Sequence, residues 1–596
     1  MIAFLLLLPQ DVDAVRAAFT KYEHEIPMRD GKKLFTAVYV PKAEGGYPIL
    51  LTRTPYGCAP YGVDAYKAKL AYSEKMEKEG YIFVFQDVRG RHMSEGEFVH
   101  VRPRGEVDES TDTWDTIDWL LKNVPKNAGK VGLWGISYPG FYAAAGMIDA
   151  HPALLAVSPQ APVSNWFGGD DWHHNGAFYV AHAFGWFSTA GRTQKNPTLP
   201  LPPAPKLFTD AYAFYLEKGT LAELNRTALK GEIPFWNELM AHGAYDEFWK
   251  ARDLRPRLTK IKPAVMTVGG WFDAENLYGA LEVYGAVERQ NPGSSNVLVM
   301  GPWYHGGWAT SDGSFLGHVR FGAKTAVHYR DEIEAAFFAR VLKGAGRDLP
   351  EATVFQTGTN EWRSFSAWPP KTEAKTIYLR EGGRLSFEAP PETEGVDEYV
   401  SDPAKPVPFT AGTAGGMTRE HMVDDQRFAA TRPDVLVYRS EPLERDVTVA
   451  GPLRPRIHVS TSGTDADWVV KVIDVYPDSF PDPDPNPTGV KMAGYQQLLR
   501  GECMRGKFRK SLAAPEPFEP GKAEVVEYAM PDVLHTFRKG HRIMVQIQSS
   551  WFPLVDRNPQ TFTDIYAAKA SDFRKATQRV YRSTSRPSGV ELGVLR

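Results

Sequence analysis

Cysteine is the scarcest residue type in this 596-residue sequence, which contains only Cys58 and Cys503. The two lie far apart and match no metal-binding or redox spacing, so we expect two buried thiols rather than a disulfide. An excess of charge is also missing, because 69 Lys and Arg residues nearly balance 72 Asp and Glu residues and leave a formal net charge of −3. The composition therefore indicates neither nucleic acid nor an anionic membrane as a partner.

Long apolar runs are missing too, and no segment is long enough to span a bilayer. Residues 2–8 (IAFLLLL) resemble part of a signal peptide, but they have no basic start and no small-residue cleavage site. This run favours export to the periplasm or secretion, and a cytoplasmic location is the alternative. A chain of this length predicts two to four domains.

The first 151 residues alternate short apolar runs with stretches of helical spacing. Such alternation is typical of a parallel sheet that helices cover on both faces. The sequence predicts strands at residues 33–40, 47–52, 81–86 and 130–134, and helices at residues 65–79, 112–123 and 141–148. We therefore predict that residues 1–151 form the first part of an α/β domain.

The pattern changes three times along the rest of the chain. Residues 152–260 contain aromatic and helical segments broken by a Pro-rich loop at 196–205, and we predict a mostly helical cap there. The strand and helix pattern resumes at residues 261–348, with strands at 264–269 and 296–301 and a helix at 329–342. Residues 349–596 consist of short β-type runs between Pro, Gly and Asp clusters, which predicts an all-β jelly roll or sandwich. Its predicted strands include 353–356, 376–379, 435–438, 456–460, 469–475, 525–529 and 542–548.

Ser137 lies in the run 135–140 (GISYPG), between a predicted strand and a predicted helix. A serine at such a turn is the nucleophile of α/β-hydrolases, and the backbone N–H of the following residue, here Tyr138, faces the developing oxyanion. The second glycine follows the serine by three positions instead of two, so the general motif is only partly met. A serine that caps the helix is the alternative interpretation.

Asp273 and His305 follow the predicted strands 264–269 and 296–301, in the chain order serine, acid, base that α/β-hydrolases show. Both positions are at the strand ends where ligands gather in parallel sheets. A serine hydroxyl needs a base, and the base needs a carboxylate to fix its tautomer. We predict that His305 is the base and Asp273 the orienting acid. The alternatives are a helix-capping aspartate and one surface histidine among fifteen.

Eight motifs add a family resemblance that runs nearly from end to end. They are RTPY (53–56), QDVRG (86–90), GISYPG (135–140), GDDW (169–172), WFD (271–273), GPWYH (301–305), TSGTDADW (461–468) and QSSWFP (548–553). Together they resemble the cocaine esterase and X-Pro dipeptidyl peptidase group of serine hydrolases. Within that group the chain is most similar to the α-amino acid ester hydrolases and the glutaryl cephalosporin acylases. The resemblance implies an α/β-hydrolase domain, an inserted helical cap and a C-terminal jelly roll.

The resemblance also implies roles for four further residues and for the Tyr138 amide. Tyr56 matches a tyrosine whose hydroxyl shares the oxyanion hole with the backbone N–H of Tyr138. Asp171 and Glu275 match two of the three carboxylates that hold the substrate's ammonium group in α-amino acid ester hydrolases. The third position is Asn276, a neutral amide, which puts the preference for an amine in doubt. The alternative is that Asp171 and Glu275 cap helices.

The predicted protein is a serine hydrolase or acyltransferase that cleaves esters or amides of α-amino acids through an acyl-enzyme, in the manner of enzymes acting on β-lactam side chains. The mechanism needs neither a metal nor an organic cofactor. The expected partner is a small ester or amide, with a homo-oligomer as an option. The alternatives are a glutaryl-type acylase, a general carboxylesterase, an X-Pro dipeptidyl peptidase and, in another class, a carbohydrate-binding β-sandwich protein.

Overall fold

The computed structural model of the protein describes residues 9–191 and 208–596. The apolar run at 2–8 and the Pro-rich loop at 196–205 lie outside the described residues, so the predictions made for them stay predictions. Among the described residues, no helix is long and apolar enough to cross a membrane. Both cysteines are free and buried, as their separation predicts.

The N-terminal region alternates strands with helices, and its central strands are buried on both faces. Ile49, Leu51, Val84 and Leu133 have no solvent-accessible surface. Aliphatic side chains on both faces are typical of a parallel sheet between two layers of helices. In chain order the elements are α1 (Pro9–Ala18), β1 (Phe19–Pro27), β2 (Lys33–Pro41), β3 (Tyr47–Thr54), α2 (Glu74–Lys78), β4 (Ile82–Asp87), α3 (Glu109–Asn123), β5 (Asn127–Ile136), α4 (Tyr138–Gly146) and β6 (Leu154–Gln160).

The chain then leaves the sheet and forms a cap of short helices. Buried aromatic side chains, among them Phe187, Phe235, Trp236 and Trp249, fill the space beneath them. The described elements are β7 (His173–His174), β8 (Ala177–Phe178), α5 (Val180–Phe187), α6 (Ala211–Lys218), α7 (Leu221–Leu224), a π-helical stretch (Asn225–Leu229), α8 (Pro234–Met240), α9 (Glu247–Lys250) and a 3-10 turn (Arg255–Arg257).

After the cap the chain returns to the first domain. The predicted helix at 329–342 is part of one helical segment that alternates between α and π geometry. The elements are β9 (Ala264–Gly270), α10 (Leu277–Gln290), β10 (Asn296–Gly301), α11 (Gly307–Thr310), β11 (Phe315–Leu316), β12 (Val319–Arg320), α12 (Thr325–His328), π-helix (Tyr329–Glu334), α13 (Ala335–Phe338), π-helix (Ala339–Lys343), β13 (Ala352–Gln356) and β14 (Glu361–Phe365).

One ten-stranded sheet joins these two parts, in the order β1-β2-β4-β3-β5-β6-β9-β10-β13-β14. The strands from β4 to β13 in that order run parallel, while β1, β2 and β14 pair antiparallel to their neighbours. The carboxyl ends of β5, β9 and β10 therefore open at the same edge, where ligands bind in sheets of this kind.

The C-terminal region is an all-β domain built on a twelve-stranded sheet. Its pairs are antiparallel except for the single parallel contact between residues 384 and 439. The elements are β15 (Glu373–Arg380), β16 (Arg384–Ser386), β17 (Val396–Ser401), α14 (Arg427–Ala430), β18 (Leu436–Arg439), β19 (Val447–Thr461), β20 (Asp467–Val475), β21 (Gln496–Arg505), β22 (Glu524–Glu527), β23 (Met530–Phe537), β24 (Arg542–Gln548), β25 (Ala576–Tyr581) and β26 (Gly589–Val594), with 3-10 turns at Glu381–Gly383, Glu420–Val423, Gly506–Phe508 and Ala570–Asp572. The predicted fold class is confirmed, whereas the exact positions of the three boundaries between the four predicted segments stay predictions.

Three local predictions are wrong. Residues 65–79 contain only the short helix α2, because the Glu77 carboxylate accepts hydrogen bonds from the backbone N–H groups of Leu70 and Ala71 and stabilises a turn there. Residues 154–160, which we placed in the cap, form β6 in the middle of the first sheet. The strand at 353–356, which we placed in the all-β domain, is β13 and pairs parallel to β10.

Candidate active site

Ser137 occupies a strained turn between β5 and α4. Its backbone has φ 68° and ψ −125°, a conformation that non-glycine residues adopt rarely and mostly at functional sites. The turn depends on small neighbours, since a Cβ at Gly135 would lie 2.5 Å from the Pro139 carbonyl and one at Gly140 would lie 2.5 Å from the carbonyl oxygen of Gln160. The Ser137 N–H donates to that Gln160 oxygen at 2.9 Å and fixes the turn against β6.

The turn also leaves a free donor beside the serine. Tyr138 is the first residue of α4, so its backbone N–H has no acceptor within the helix. Its side chain is anchored away from the turn, because its hydroxyl accepts a hydrogen bond from the Val101 N–H at 2.9 Å and contacts His100 Nδ1 at 3.1 Å. The Tyr138 amide is therefore available to an oxyanion next to Ser137.

Asp273 and His305 meet as the chain order predicts. His305 Nδ1 lies 2.9 Å from Asp273 Oδ2 and 3.1 Å from Oδ1. Asp273 is buried, and its Oδ1 accepts the backbone N–H groups of Glu275 at 2.8 Å and Asn276 at 3.0 Å. These bonds fix the carboxylate, which in turn fixes the orientation of the imidazole.

The other nitrogen of His305 faces a carboxylate. His305 Nε2 lies 3.5 Å from Glu275 Oε2, and within the described residues no hydrogen bond joins it to Ser137 Oγ. Burial alone would lower the pKa of His305, but the charges of Asp273, Glu275 and Asp171 outweigh burial and raise that pKa to about 10. The isolated protein thus holds the candidate base in its protonated form at neutral pH.

Tyr56 follows β3 and lies against the serine turn. Its ring is in edge contact with the Tyr138 ring at a centroid distance of 6.5 Å, and its hydroxyl accepts a hydrogen bond from Trp186 Nε1 at 3.3 Å. The residue is 40 % exposed, yet the protein surrounds it closely enough that burial raises the pKa of its hydroxyl. Tyr56 therefore keeps its proton and can donate it in a hydrogen bond.

The residues predicted to bind an ammonium group also come together. The Asp171 backbone N–H donates to the Glu275 carbonyl at 3.0 Å, which joins the two loops. Asp171 Oδ2 accepts hydrogen bonds from Trp166 Nε1 at 2.8 Å and from the Asn276 amide at 2.9 Å. Asn276 thus orients Asp171 instead of supplying a third negative charge, and its own buried Oδ1 has no partner.

His182 is a member of this cluster that the sequence analysis missed. Its Nε2 lies 3.1 Å from Asp171 Oδ1 and 3.7 Å from Glu275 Oε2. Burial lowers its pKa, but Glu275 and Asp171 outweigh burial and raise the pKa above its ordinary value. No motif marks His182, because it comes from helix α5 of the cap, far in sequence from the triad residues.

These three side chains are also the ones within the described residues that could hold a metal ion. The donor atoms of Asp171, His182 and Glu275 lie within 4.8 Å of one another. A metal would have to displace the proton through which His182 Nε2 bonds Asp171. The same two carboxylates suit an organic ammonium group, which leaves that proton in place.

Comparisons with known proteins agree with this geometry. The sequence matches the X-Pro dipeptidyl-peptidase (S15) family over residues 30–307 and the X-Pro dipeptidyl-peptidase C-terminal non-catalytic domain over residues 343–591. Cocaine esterase of Rhodococcus sp. (strain MB1 Bresler) is 30 % identical over 96 % of this chain and 98 % of its own length.

Two solved structures resemble the whole chain. One is an aminopeptidase from the marine sediment archaeon Thaumarchaeota archaeon, and the other is an α-amino acid ester hydrolase. Each is 39 % identical, covers 97 % of both chains and has a TM-score of 0.90. The chain therefore belongs to the X-Pro dipeptidyl-peptidase (S15) family that includes cocaine esterase, and it is a serine ester hydrolase.

Proposed function

We propose that this protein hydrolyses esters of α-amino acids, with Ser137 as nucleophile, His305 as base and Asp273 as the acid that orients the base. The observation that carries the proposal is the pair of carboxylates, Asp171 and Glu275, clustered beside the base. In the free protein His182 and His305 face these carboxylates, and a substrate ammonium group would be a further cation that both carboxylates could bind through charge-assisted hydrogen bonds.

The reaction follows from the positions of these groups. Ser137 Oγ attacks the ester carbonyl carbon while His305 Nε2 takes the hydroxyl proton. Tyr56 and the Tyr138 N–H donate to the resulting oxyanion. The alcohol leaves with the proton from His305, and water then attacks the acyl-enzyme with His305 again as base.

The carboxylates are placed to bind the acyl half of the substrate, which carries the α-amino group. An α-amino group is one carbon away from the reacting carbonyl, so an ammonium held by Asp171 and Glu275 stays bound through both halves of the reaction. Charge-assisted hydrogen bonds of this kind are about twice as strong as neutral ones. Aromatic rings supply the apolar surroundings, with Trp166 and Trp186 packed against Tyr138 at 5.7 and 6.1 Å.

Two similar proteins support this substrate class. The names α-amino acid ester hydrolase and aminopeptidase both describe enzymes whose substrates carry a free α-amino group. An X-Pro dipeptidyl peptidase would use the same amine, whereas a glutaryl-type acylase or a general esterase would not need it. Cleavage of amides as well as esters, and acyl transfer to an amine such as a β-lactam nucleus, fit the same acyl-enzyme.

The test compares an α-amino ester with its des-amino analogue in the wild type and in Asp171→Asn. We expect the variant to raise KM for the charged ester about tenfold or more, because a hydrogen bond to a charged group contributes about 1.5–3 kcal/mol. The uncharged ester should change little. Ser137→Ala is the control for the chemistry and should abolish both turnover and labelling by a fluorophosphonate.

Equal slowing of both esters by Asp171→Asn would refute the ammonium site. The function of a glutaryl acylase or a general esterase would then be better supported. Labelling that persists in Ser137→Ala would place the nucleophile elsewhere.

A further inference from the structure

Glu275 lies beside the nitrogen of His305 that has to accept the proton of Ser137. His305 Nε2 must accept the proton of Ser137, yet the group near it is Glu275 Oε2, at 3.5 Å. Within the described residues, Ser137 Oγ makes no hydrogen bond of its own, so the resting arrangement pairs the base with a carboxylate instead of with the nucleophile.

Glu275 also belongs to the ammonium cluster. Its Oε2 lies 3.7 Å from His182 Nε2, the same nitrogen that contacts Asp171. The same carboxylate oxygen therefore lies within 3.7 Å of both the base and His182 of the proposed ammonium cluster. With a side chain that is 26 % exposed, Glu275 is the least buried of the five ionisable side chains that form these contacts.

We propose that Glu275 restrains His305 in the free enzyme and that the substrate's ammonium group releases it, so that the amine activates the base as well as binding. This inference rests on the proposed function. It makes Glu275 a positioning residue for the base, and it makes the amine a requirement of the chemical step.

The charged groups around His305 indicate that its pKa falls when an ammonium group binds. Asp273, Glu275 and Asp171 stabilise the imidazolium, while His182 opposes it, and Tyr56 lies close to Asp171 and Glu275 with its proton retained. An arriving ammonium adds positive charge beside these carboxylates. Since an imidazolium gains less from carboxylates that already face a cation, the pKa of His305 must fall when the substrate binds.

The proton balance is simple. The ammonium pairs with Glu275 and Asp171, and His305 releases its Nε2 proton to solvent. The vacated lone pair then accepts the proton of Ser137 as Oγ bonds to the ester carbonyl carbon, and that proton goes to the departing alcohol. When an uncharged ester binds, Glu275 stays paired with His305, and His305 therefore stays protonated over most of the pH range.

The experiment measures kcat against pH for the charged and the uncharged ester, in the wild type and in Glu275→Gln. Because only neutral His305 is active, each profile has a rising part, here called the limb, whose midpoint is the pKa of His305 in that complex. In the wild type we expect the limb for the uncharged ester to lie about one to three pH units above that for the α-amino ester. In Glu275→Gln the uncharged limb should shift down by about one unit or more, with about a tenfold gain in kcat at pH 7.

Two variants serve as comparisons. Glu282→Gln makes the same chemical change on helix α10, where Glu282 pairs with Arg255, and should leave both limbs in place. Asp171→Asn removes a carboxylate that contacts His182 and acts on His305 only through its charge, so it should raise KM and should shift the limb less than Glu275→Gln does. The rate of labelling by an uncharged fluorophosphonate, followed against pH, gives the same profile even where turnover of the uncharged ester is slow.

The inference is overturned if wild-type enzyme shows one common limb for both esters, or if Glu275→Gln leaves the uncharged limb unmoved. Either result would coexist with efficient hydrolysis of the α-amino ester and with labelling of Ser137, so the proposed function would stand. Absence of any preference for the amine in the wild type would instead refute the proposed substrate class.

Discussion

At the scale of single residues, the two candidate oxyanion donors have different origins, since Tyr56 follows β3 and the Tyr138 amide begins helix α4 beside Ser137. Tyr56 → Phe keeps the ring that packs on Tyr138 and removes only the hydroxyl. We expect kcat to fall about 10²- to 10³-fold, the usual effect of losing one oxyanion donor. KM should change little, because the hydroxyl acts on charge that develops in the transition state.

Tyr72 offers a matched control for this change. It is 46 % exposed and packs edge-on against Trp134, and within the described residues no hydrogen bond or ring contact joins it to Ser137, Asp273 or His305. Tyr72→Phe should leave kcat within about twofold, as exposed substitutions away from a site usually do. If Tyr56→Phe behaved like Tyr72→Phe, the hydroxyl would have no part in stabilising the oxyanion.

Residues that follow strands could be placed from the sequence pattern, whereas Asp171 of the cap was found only through the family resemblance and His182 was not found at all. Asp273 and His305 each come directly after an apolar run, and parallel strands bring such positions to one edge. His182 follows no strand, and its contact with Asp171 depends on how helix α5 packs. The pairing of Glu275 with His305 Nε2 likewise depends on side-chain geometry, which spacing does not encode. The roles of all these residues remain predictions until the variants are measured.

At the scale of elements, the turn from β5 to α4 depends on the absence of a side chain at Gly135. A Cβ there would lie 2.5 Å from the Pro139 carbonyl, far inside ordinary contact distance. We expect Gly135→Ala to destabilise the protein by about 1–3 kcal/mol, as overpacking in a tight site does. It should also lower kcat, because the Ser137 backbone would have to shift.

Gly46→Ala is the comparison, since its new Cβ would meet only the Ala128 Cβ, at an ordinary 3.9 Å. Thermal unfolding and kcat should both be measured on the two variants. A Gly135→Ala protein with the stability and kcat of Gly46→Ala would show that the turn tolerates a side chain and would weaken the case for Ser137.

The elements themselves show where sequence patterns carry too little information. An apolar run such as residues 353–356 predicts a strand with buried faces, but it does not state which sheet the strand joins, and here β13 extends the first sheet. Helical spacing at residues 65–79 is equally ambiguous. The Glu77 carboxylate accepts hydrogen bonds from backbone N–H groups and stabilises a turn there, and hydrophobic periodicity does not reveal such local competition.

At the scale of the whole molecule, a buried ion cluster joins the cap to the all-β domain. Arg505 bonds Asp467 and Asp556 at 2.8 and 2.7 Å, and its side chain has no accessible surface. Asp556 also accepts the Phe178 N–H of the cap at 3.1 Å. Arg505→Met would leave two carboxylates buried without their cation, so we expect a loss of about 3–5 kcal/mol in the free energy of unfolding.

Denaturant unfolding of Arg505→Met can be compared with that of Arg579→Met, which removes a partly exposed ion pair with Glu398. The second change should cost at most about 1 kcal/mol. Because the protein has several domains, the first unfolding transition is the one to compare. Equal shifts in the two variants would mean that the cluster contributes no more than a surface pair.

Helix α5, which contains His182, lies at the same contact between the cap and the all-β domain. The segment that leads into α5 is held by the all-β domain, through the Asp556 N–H on the Phe178 carbonyl at 2.8 Å, the Ala181 N–H on the Pro553 carbonyl at 3.2 Å, and His174 Nδ1 beside Glu502 at 3.0 Å. The domain that matches the family's non-catalytic C-terminal domain thus helps to set the position of His182 in the proposed ammonium cluster. Mutations in the all-β domain can consequently alter substrate specificity during evolution, while the nucleophile and the base stay the same.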